Sequence, residues 1–220
     1  MTIGELALWS KKVSGVLKIG ESSRKTGKLT IVPMLGWNRQ MIWPQTGLSW
    51  FPTSPNIPTL DSVAGYPMTG LGAQMGKFKH GIGTKHPFRF LTYEGKSATA
   101  LKSELDRLQI PGLSFQVKTL QKADGKSVDG VYIIINDWNS WRPTELPFHM
   151  MRLSALWEST SPFTQATESE ITLFNKHVGS QAWWNALARD GGQVDPQKFF
   201  SLWNADSEEF TASVKPYLLY

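Results

Sequence analysis

The stretch from Ile31 to Phe90 constrains this chain most, because its density of Trp, Pro and Gly excludes both a long helix and an uninterrupted strand. Pro52, Pro55 and Pro58 interrupt regular structure through its middle, and Pro58 suits the first turn of a short helix carrying Leu60 and Val63. Asp61 is its only acidic residue. Gly and Pro fix unusual backbone angles, Trp supplies flat apolar faces, and Arg39, Asn56, Thr84, His80 and His86 offer hydrogen bonds. Such a stretch reads as a binding surface made of loops, with the remaining chain as its scaffold.

With 220 residues, 40% of them hydrophobic, the chain can bury a sizeable core as a globular domain. It has no cysteine, which excludes disulfides, thiolate metal sites and cysteine nucleophiles. No apolar run approaches the roughly 20 residues of a membrane helix, and the N-terminus lacks a charged-then-apolar signal pattern, so neither a span nor an export signal is expected on this chain. The net charge of +5 permits an acidic partner. Lys and Arg are nevertheless dispersed and no nucleic-acid motif occurs, so nucleic acid is not expected among the partners.

Thr2 and Glu5 have the spacing of a capping box, predicting a short N-terminal helix. Lys28–Met34 is β-branched and apolar, predicting a strand that feeds the loop surface. Leu101, Leu105 and Leu108 form one stripe of a helix over Ser97–Leu108, stopped by Pro111-Gly112. Leu113–Leu120 alternates as a half-wet strand, and Val131–Ile135 reads as a central strand buried on both faces, with a turn at Ala123–Lys126 between them. The last third is helical: Pro143–Trp157, Ser169–Phe174, Gln181–Arg189, Pro196–Asn204 capped by Asp195, and a terminal turn or helix over Ser207–Val214. The fold class is therefore α+β, a small mixed or antiparallel sheet with Trp/Pro/Gly-rich loops and a helical C-terminal third.

His80 and His86 have no partner at metal-ligand spacing, so no metal is expected. The Gly-rich run Gly70–Gly83 lacks the Gly-Lys-Ser/Thr ending of a phosphate loop, and no cofactor is expected either. Trp37, Trp43 and Trp50 either stack on sugar rings or pack under the loops; Trp37 fits core and Trp50 stays open. Of Trp183 and Trp184, one is expected to be buried and the other partly exposed.

Met1–Ala7, Met34 with Gly36-Trp37 and Arg39, Thr46-Gly47-Leu48 with Trp50, Ser54-Pro55-Asn56, Tyr66-Pro67, Gly83-Thr84, Pro87-Phe88 and Tyr217–Tyr220 together resemble the exo-β-N-acetylmuramidase family, long a family of unknown function. The resemblance runs over essentially the whole chain in order. It implies one domain over 1–220 corresponding to the family's C-terminal half, without the Rossmann-like N-terminal half that supplies the catalytic glutamate. Met1 aligns with a Met that members often carry inside the chain, at the junction of the halves.

The resemblance implies a protein acting on peptidoglycan fragments, inactive without the Rossmann-like half. Its partners would be a muramyl glycan and a separately encoded half. Family members are often exported, and any signal would lie on the other half. After Tyr66-Pro67, members usually show Glu-Gly-Thr-Asn and then Gly-Arg-Gly-Thr, where this chain has Gly72–Gly76 and Gly81-Ile82-Gly83-Thr84. Glycoside hydrolysis ordinarily uses two carboxyl groups about 5 to 9.5 Å apart. The loop surface offers only Asp61, which fits solvation or helix capping. Asp137, where the buried strand emerges, is either a site carboxylate or a structural cap or ion pair with Arg142. The expected substrate-binding set is Arg39, Trp50, Asn56, Thr84 and Asp137, with no catalytic residue on this chain and with Arg39, Asn56, Thr84 and Asp137 converging on one concave surface. A module that binds glycan or protein without catalysis is the alternative.

Overall fold

Capping residues set most of the helix starts in the computed structural model, which describes residues 1–122 and 124–220. Thr2 accepts from the Glu5 N–H and Glu5 reaches back to the Thr2 N–H, opening helix α1 (Ile3–Lys12) with the expected capping box. Thr59 caps α3 (Leu60–Thr69), which follows a short α2 (Glu21–Thr26), and Ser97 caps α4 (Ala98–Arg107). The C-terminal third comprises α5 (Glu145–Trp157), α6 (Glu168–Val178), α7 (Gln181–Asp190) and α8 (Pro196–Val214). Asp195 accepts from the Gln197 N–H at the start of α8, and that helix runs on through the segment expected as a separate terminal turn.

By its contacts the chain, expected as one domain over 1–220, forms two compact units, Met1–Ser49 with Phe200–Tyr220, and Trp50–Phe199. In the first unit, Lys11 donates to the Arg24 carbonyl and Arg24 to the Lys12 carbonyl, tying α2 to the end of α1. Trp9 meets Phe210 edge-on, and Trp37 meets Tyr220 with ring centroids 4.7 Å apart. The Met34 N–H donates to the Tyr220 hydroxyl. Lys28–Met34, expected as a strand, pairs with no strand among the described residues. β-branched composition cannot make a strand without a neighbouring ladder.

The second unit is built on an antiparallel sheet of β1 (Phe78–Lys79), β2 (Phe90–Tyr93), β3 (Leu113–Gln121) and β4 (Ser127–Ile135), in the order β1-β2-β4-β3. Lys122 and Lys126 close the β3–β4 hairpin by a backbone hydrogen bond, and Ala123 of the expected turn lies outside the described residues. Paired residues of an antiparallel sheet share a face. Phe78, Leu91, Tyr93, Phe115, Val131 and Ile133 line one face and form the core with Met68 of α3, Leu101 and Leu105 of α4, and Leu146, Met150 and Leu153 of α5.

Lys79, Phe90, Thr92, Gln116, Lys118, Val128 and Tyr132 share the other face. The loop between β1 and β2 runs beside part of it, where Ile82 and Thr84 line a cavity with Phe90, Thr92 and Val128. Trp183 and Trp184 are both buried, contrary to the expected split. Trp183 packs edge-on to Phe148 and Phe199, whereas Trp184 packs on Phe163 and Phe174, so each side of α7 has its own aromatic neighbours. Among the described residues no helix is long and apolar enough to cross a membrane.

Candidate functional site

The loop from His80 to Arg89 organises the second sheet face. The Phe88 N–H donates to the His80 carbonyl over 2.6 Å, closing the loop at its base. Within it, the Thr84 hydroxyl donates to the Gly81 carbonyl (2.7 Å) and accepts from the His86 N–H (3.1 Å). Gly81 sits at φ +77°, and a Cβ there would lie 2.7 Å from the His86 carbonyl oxygen, so this tight return requires glycine. Thr69 of α3 donates to the Phe88 carbonyl from below.

Arg89 ends the loop and is buried. Its Nε and Nη2 donate to the Ile133 carbonyl of β4, and its Nη1 lies 2.6 Å from Asp61 Oδ1 in the first turn of α3. The Tyr132 hydroxyl donates to Asp61 Oδ2 over 3.4 Å, and His86 Nδ1 lies 3.9 Å from the same oxygen. His86 packs on the Tyr132 ring, and Lys118 Nζ stands 3.9 Å from that ring's centroid. Burial, together with Lys118, Lys85 and Arg89, outweighs the attraction of Asp61 and holds His86 below the ordinary histidine pKa. Asp61 is thus an anchored carboxylate in a cationic surround, beyond the solvation or capping role expected of it.

Two cavities of about 480 Å³ each open beside this loop. One is lined by residues including Lys79, His80, Phe90, Thr92 and Val128, the other by residues including Asn56, Lys85, Pro87 and Gln121. Ile82, Thr84 and Lys122 line both, so the cavities adjoin as one groove over the sheet. No Asp or Glu is among their lining residues. His80 stacks on Phe88 with its Nδ1 buried and unpartnered among the described residues, and burial lowers its pKa, favouring the neutral ring. Such a groove can receive hydrogen-bonding groups and negative charge; by itself it holds no acid–base pair.

Of the expected binding residues, Asn56 and Thr84 come together in this groove. Trp50 donates from Nε1 to the Pro58 carbonyl and braces the loop that carries Asn56. Asp137 accepts from the Asn139 N–H and the Ser140 hydroxyl, and those bonds, Ser140 foremost, lower its pKa. It follows the end of β4 that pairs with Leu113, whereas Gln121 and Lys122 lie at the other end of the hairpin, roughly 30 Å along the strands.

Arg39 belongs to the first unit, where it pairs with the buried Glu5 at 2.6 Å. Glu5 also accepts from the Leu219 N–H (2.8 Å). Burial pushes the Glu5 pKa up, but the backbone donors of Leu219 and Thr2 together with Arg39 prevail and hold it at about 2. Trp37 and Trp43 line a separate apolar cavity of about 610 Å³ in that unit, with Met34, Met41 and Leu48.

Arg89, Tyr132, Lys118 and Lys122 were absent from the expected set. Alternation along β3 and β4 is the signal that places Lys118 and Tyr132 on one face. Among the described residues no group of three His, Asp or Glu side chains is arranged to hold a metal.

The family models divide the chain near Asp61. Residues 64–220 match the model described as "Exo-beta-N-acetylmuramidase NamZ, C-terminal", and residues 1–61 match "Exo-beta-N-acetylmuramidase NamZ, N-terminal". The peptidoglycan beta-N-acetylmuramidase NamZ of Bacillus subtilis is 27% identical over 226 residues, covering 100% of this chain and 50% of that protein. A crystal structure of a DUF1343 family protein from Bacteroides fragilis is similar with a TM-score of 0.78 and 27% identity, covering 99% of this chain and 55% of that one. The chain spans about half the length of these relatives. With the family models matching along almost all of its length, the chain belongs to the exo-β-N-acetylmuramidase NamZ family.

Proposed function

We propose that the groove over the second sheet face binds a muramyl glycan and forms one side of an exo-β-N-acetylmuramidase site acting on peptidoglycan fragments. The observation that carries this reading is the groove itself: concave, lined by Asn56, Thr84, His80 and three lysines, and free of Asp and Glu. A site that binds without a carboxylate pair suits the partner surface of a hydrolase whose reacting groups stand on another domain. In this reading those carboxyl groups come from the part of the relatives that this chain does not span. Asn56 contacts the sugar, Thr84 shapes the loop around it and Trp50 holds the wall. Arg39 and Asp137 support the fold of their own segments.

Turnover of a chromogenic N-acetylmuramide tests this, with the chain alone and then mixed with the Rossmann-like half of a relative. Hydrolysis only in the mixture is the expected result. Binding of the glycan without hydrolysis in either case would replace the hydrolase by a second reading, a glycan-binding module. The lack of Asp and Glu in the groove favours that second reading over any in which this chain acts alone.

A further inference from the structure

We propose that the apolar cavity of the first unit, with the exposed residues at its rim, is a protein-docking surface whose occupant is the Rossmann-like part of the relatives that this chain does not span. The inference takes its partner from the hydrolase reading but makes no use of the groove or of sugar binding.

The first unit has almost no core of its own. Among the described residues of Met1–Ser49 and Phe200–Tyr220, Val214 is the only hydrophobic residue that is buried, and Glu5 and Ser10 are the only polar ones. What holds the unit is polar and aromatic: the capping box of Thr2 and Glu5, the Arg39–Glu5 pair, and the edge contacts of Trp9 with Phe210 and of Trp37 with Tyr220. A segment of this size reaches a stable fold by burying an apolar face against another layer.

That face is present and uncovered. Leu35 is 100% exposed and Val32 86%, while Ile42 and Leu48 are each 62% exposed. Met34, Leu35 and Leu48 line the cavity of about 610 Å³ together with Trp37, Met41 and Trp43, and no charged residue is among its lining. Arg39 is the single charged residue between Ile31 and Ser49, and it pairs with Glu5. Solvated loops carry charge, whereas the centre of a protein interface is depleted of it and enriched in Trp and Met. Methionine side chains adapt to an irregular apolar partner, so the cavity suits aliphatic and aromatic side chains of another protein surface.

The family matches choose the occupant. Residues 1–61, which carry this whole face, match the N-terminal NamZ model, and the C-terminal model takes up only at residue 64. The chain covers 50% of the Bacillus subtilis relative. The face thus belongs by sequence to the N-terminal family domain, and apolar surface within one domain is covered by the remainder of that domain. A lipid surface would favour basic residues around the cavity, which its lining lacks.

The test is co-expression of the full chain with a tagged Rossmann-like half of the Bacillus subtilis relative, followed by sedimentation and amide hydrogen exchange. The two should co-purify one to one, and residues 32–48 should gain protection. Leu35→Glu and Leu48→Glu should each weaken the complex at least about tenfold, because a charge would be buried in an apolar contact. Both side chains are exposed, so thermal unfolding of the free chain should be unchanged. Leu173→Glu, the same change on α6 at 53% exposure, should leave the complex intact.

A half that leaves the chain behind, or that stays insoluble in its presence, overturns the inference, as does a complex indifferent to both substitutions. A free chain that dimerises, and that Leu35→Glu separates, assigns the face to a second copy and overturns it as well. A complex that forms as expected without hydrolysing a chromogenic N-acetylmuramide supports the docking surface while removing the hydrolase. Hydrolysis in the mixture that survives both substitutions keeps the hydrolase and removes this surface.

Discussion

Asp61 and Arg89 are joined at 2.6 Å across the loop that shapes the groove, with the Arg89 side chain buried and that of Asp61 38% exposed. The pair fastens the first turn of α3 to the sheet, because the same guanidinium donates twice to the Ile133 carbonyl. One arginine therefore fixes the helix, the loop and the central strand relative to one another.

Removing the carboxylate should leave a buried guanidinium with the Ile133 carbonyl and the face of the Tyr132 ring but without a counter-charge. A fully buried pair broken in this way loses about 3–5 kcal/mol, and the exposure of Asp61 reduces the expected loss for Asp61→Ala to about 2 kcal/mol. Asp61→Asn, which keeps a hydrogen-bond acceptor, should lose about 1 kcal/mol. Urea unfolding of the two variants and of Asp61→Ala/Arg89→Met measures this. The double variant should be less destabilised than the sum of its parts, and strict additivity would show that the two side chains act independently.

His149 of α5 sets a pH limit for the second unit. Burial first, and then Arg152, lower its pKa to about 4. The unfolded chain, with an ordinary histidine near 6.5, binds the proton more readily, so stability is fully present above that value and falls as pH drops toward 4. The loss through this window should be about 3 kcal/mol. In His149→Phe the slope of unfolding free energy between pH 6.5 and 4 should flatten; an unchanged slope would assign the acid sensitivity to other groups.

Glu5 acts in a lower window and in the first unit. Its folded pKa of about 2 lies below the ordinary 4.5, so its contribution is present above pH 4.5 and is lost as pH falls toward 2. Arg39→Met should destabilise this unit by about 2 kcal/mol at neutral pH, because a buried carboxylate loses its charged partner while keeping its backbone donors. Fluorescence of Trp9 and Trp37 variants during acid titration would follow the unit directly. An Arg39→Met protein as stable as the parent would reduce that ion pair to a surface contact.

The starts of α1 and α8 were legible because the signals of Thr2 and Asp195 are local. That of α3 was misplaced by two residues: Pro58, expected in its first turn, precedes the cap Thr59, whose side chain accepts from the Ser62 N–H. β1 and β2 were not legible, since Phe78–Lys79 is a strand only by pairing with Thr92 and Tyr93 across a folded loop. The same distinction runs through the site. Asn56 and Thr84 stand in turn-rich sequence whose loop chemistry can be read directly, and both reach the groove. Lys122 resembles any solvated hairpin lysine until β1 and the loop after it are brought beside it. For Asp137 the position after a buried strand left a site carboxylate and a structural cap both open, and Asn139 and Ser140 hold its carboxylate locally.

Gly65 offers a test of how closely the groove depends on the helix beneath it. A Cβ at this position would lie 2.5 Å from the Phe88 carbonyl oxygen and 2.7 Å from the carbonyl carbon, so backbone rather than a flexible side chain would have to yield. Phe88 has little freedom to do so: it sits at φ +63°, donates to the His80 carbonyl and accepts from Thr69. Gly65→Ala should therefore destabilise the second unit by about 2–3 kcal/mol despite the higher helix propensity of alanine. It should also weaken ligand binding in the groove, because the displaced loop carries Lys85 and Pro87 of its lining. Gly95→Ala, at φ +84° with open space around it, should lose only about 1 kcal/mol and leave binding unchanged. Thermal unfolding and ligand titration of both variants distinguish the effects, and normal binding in a destabilised Gly65→Ala protein would mean that the groove forms without the close approach of α3.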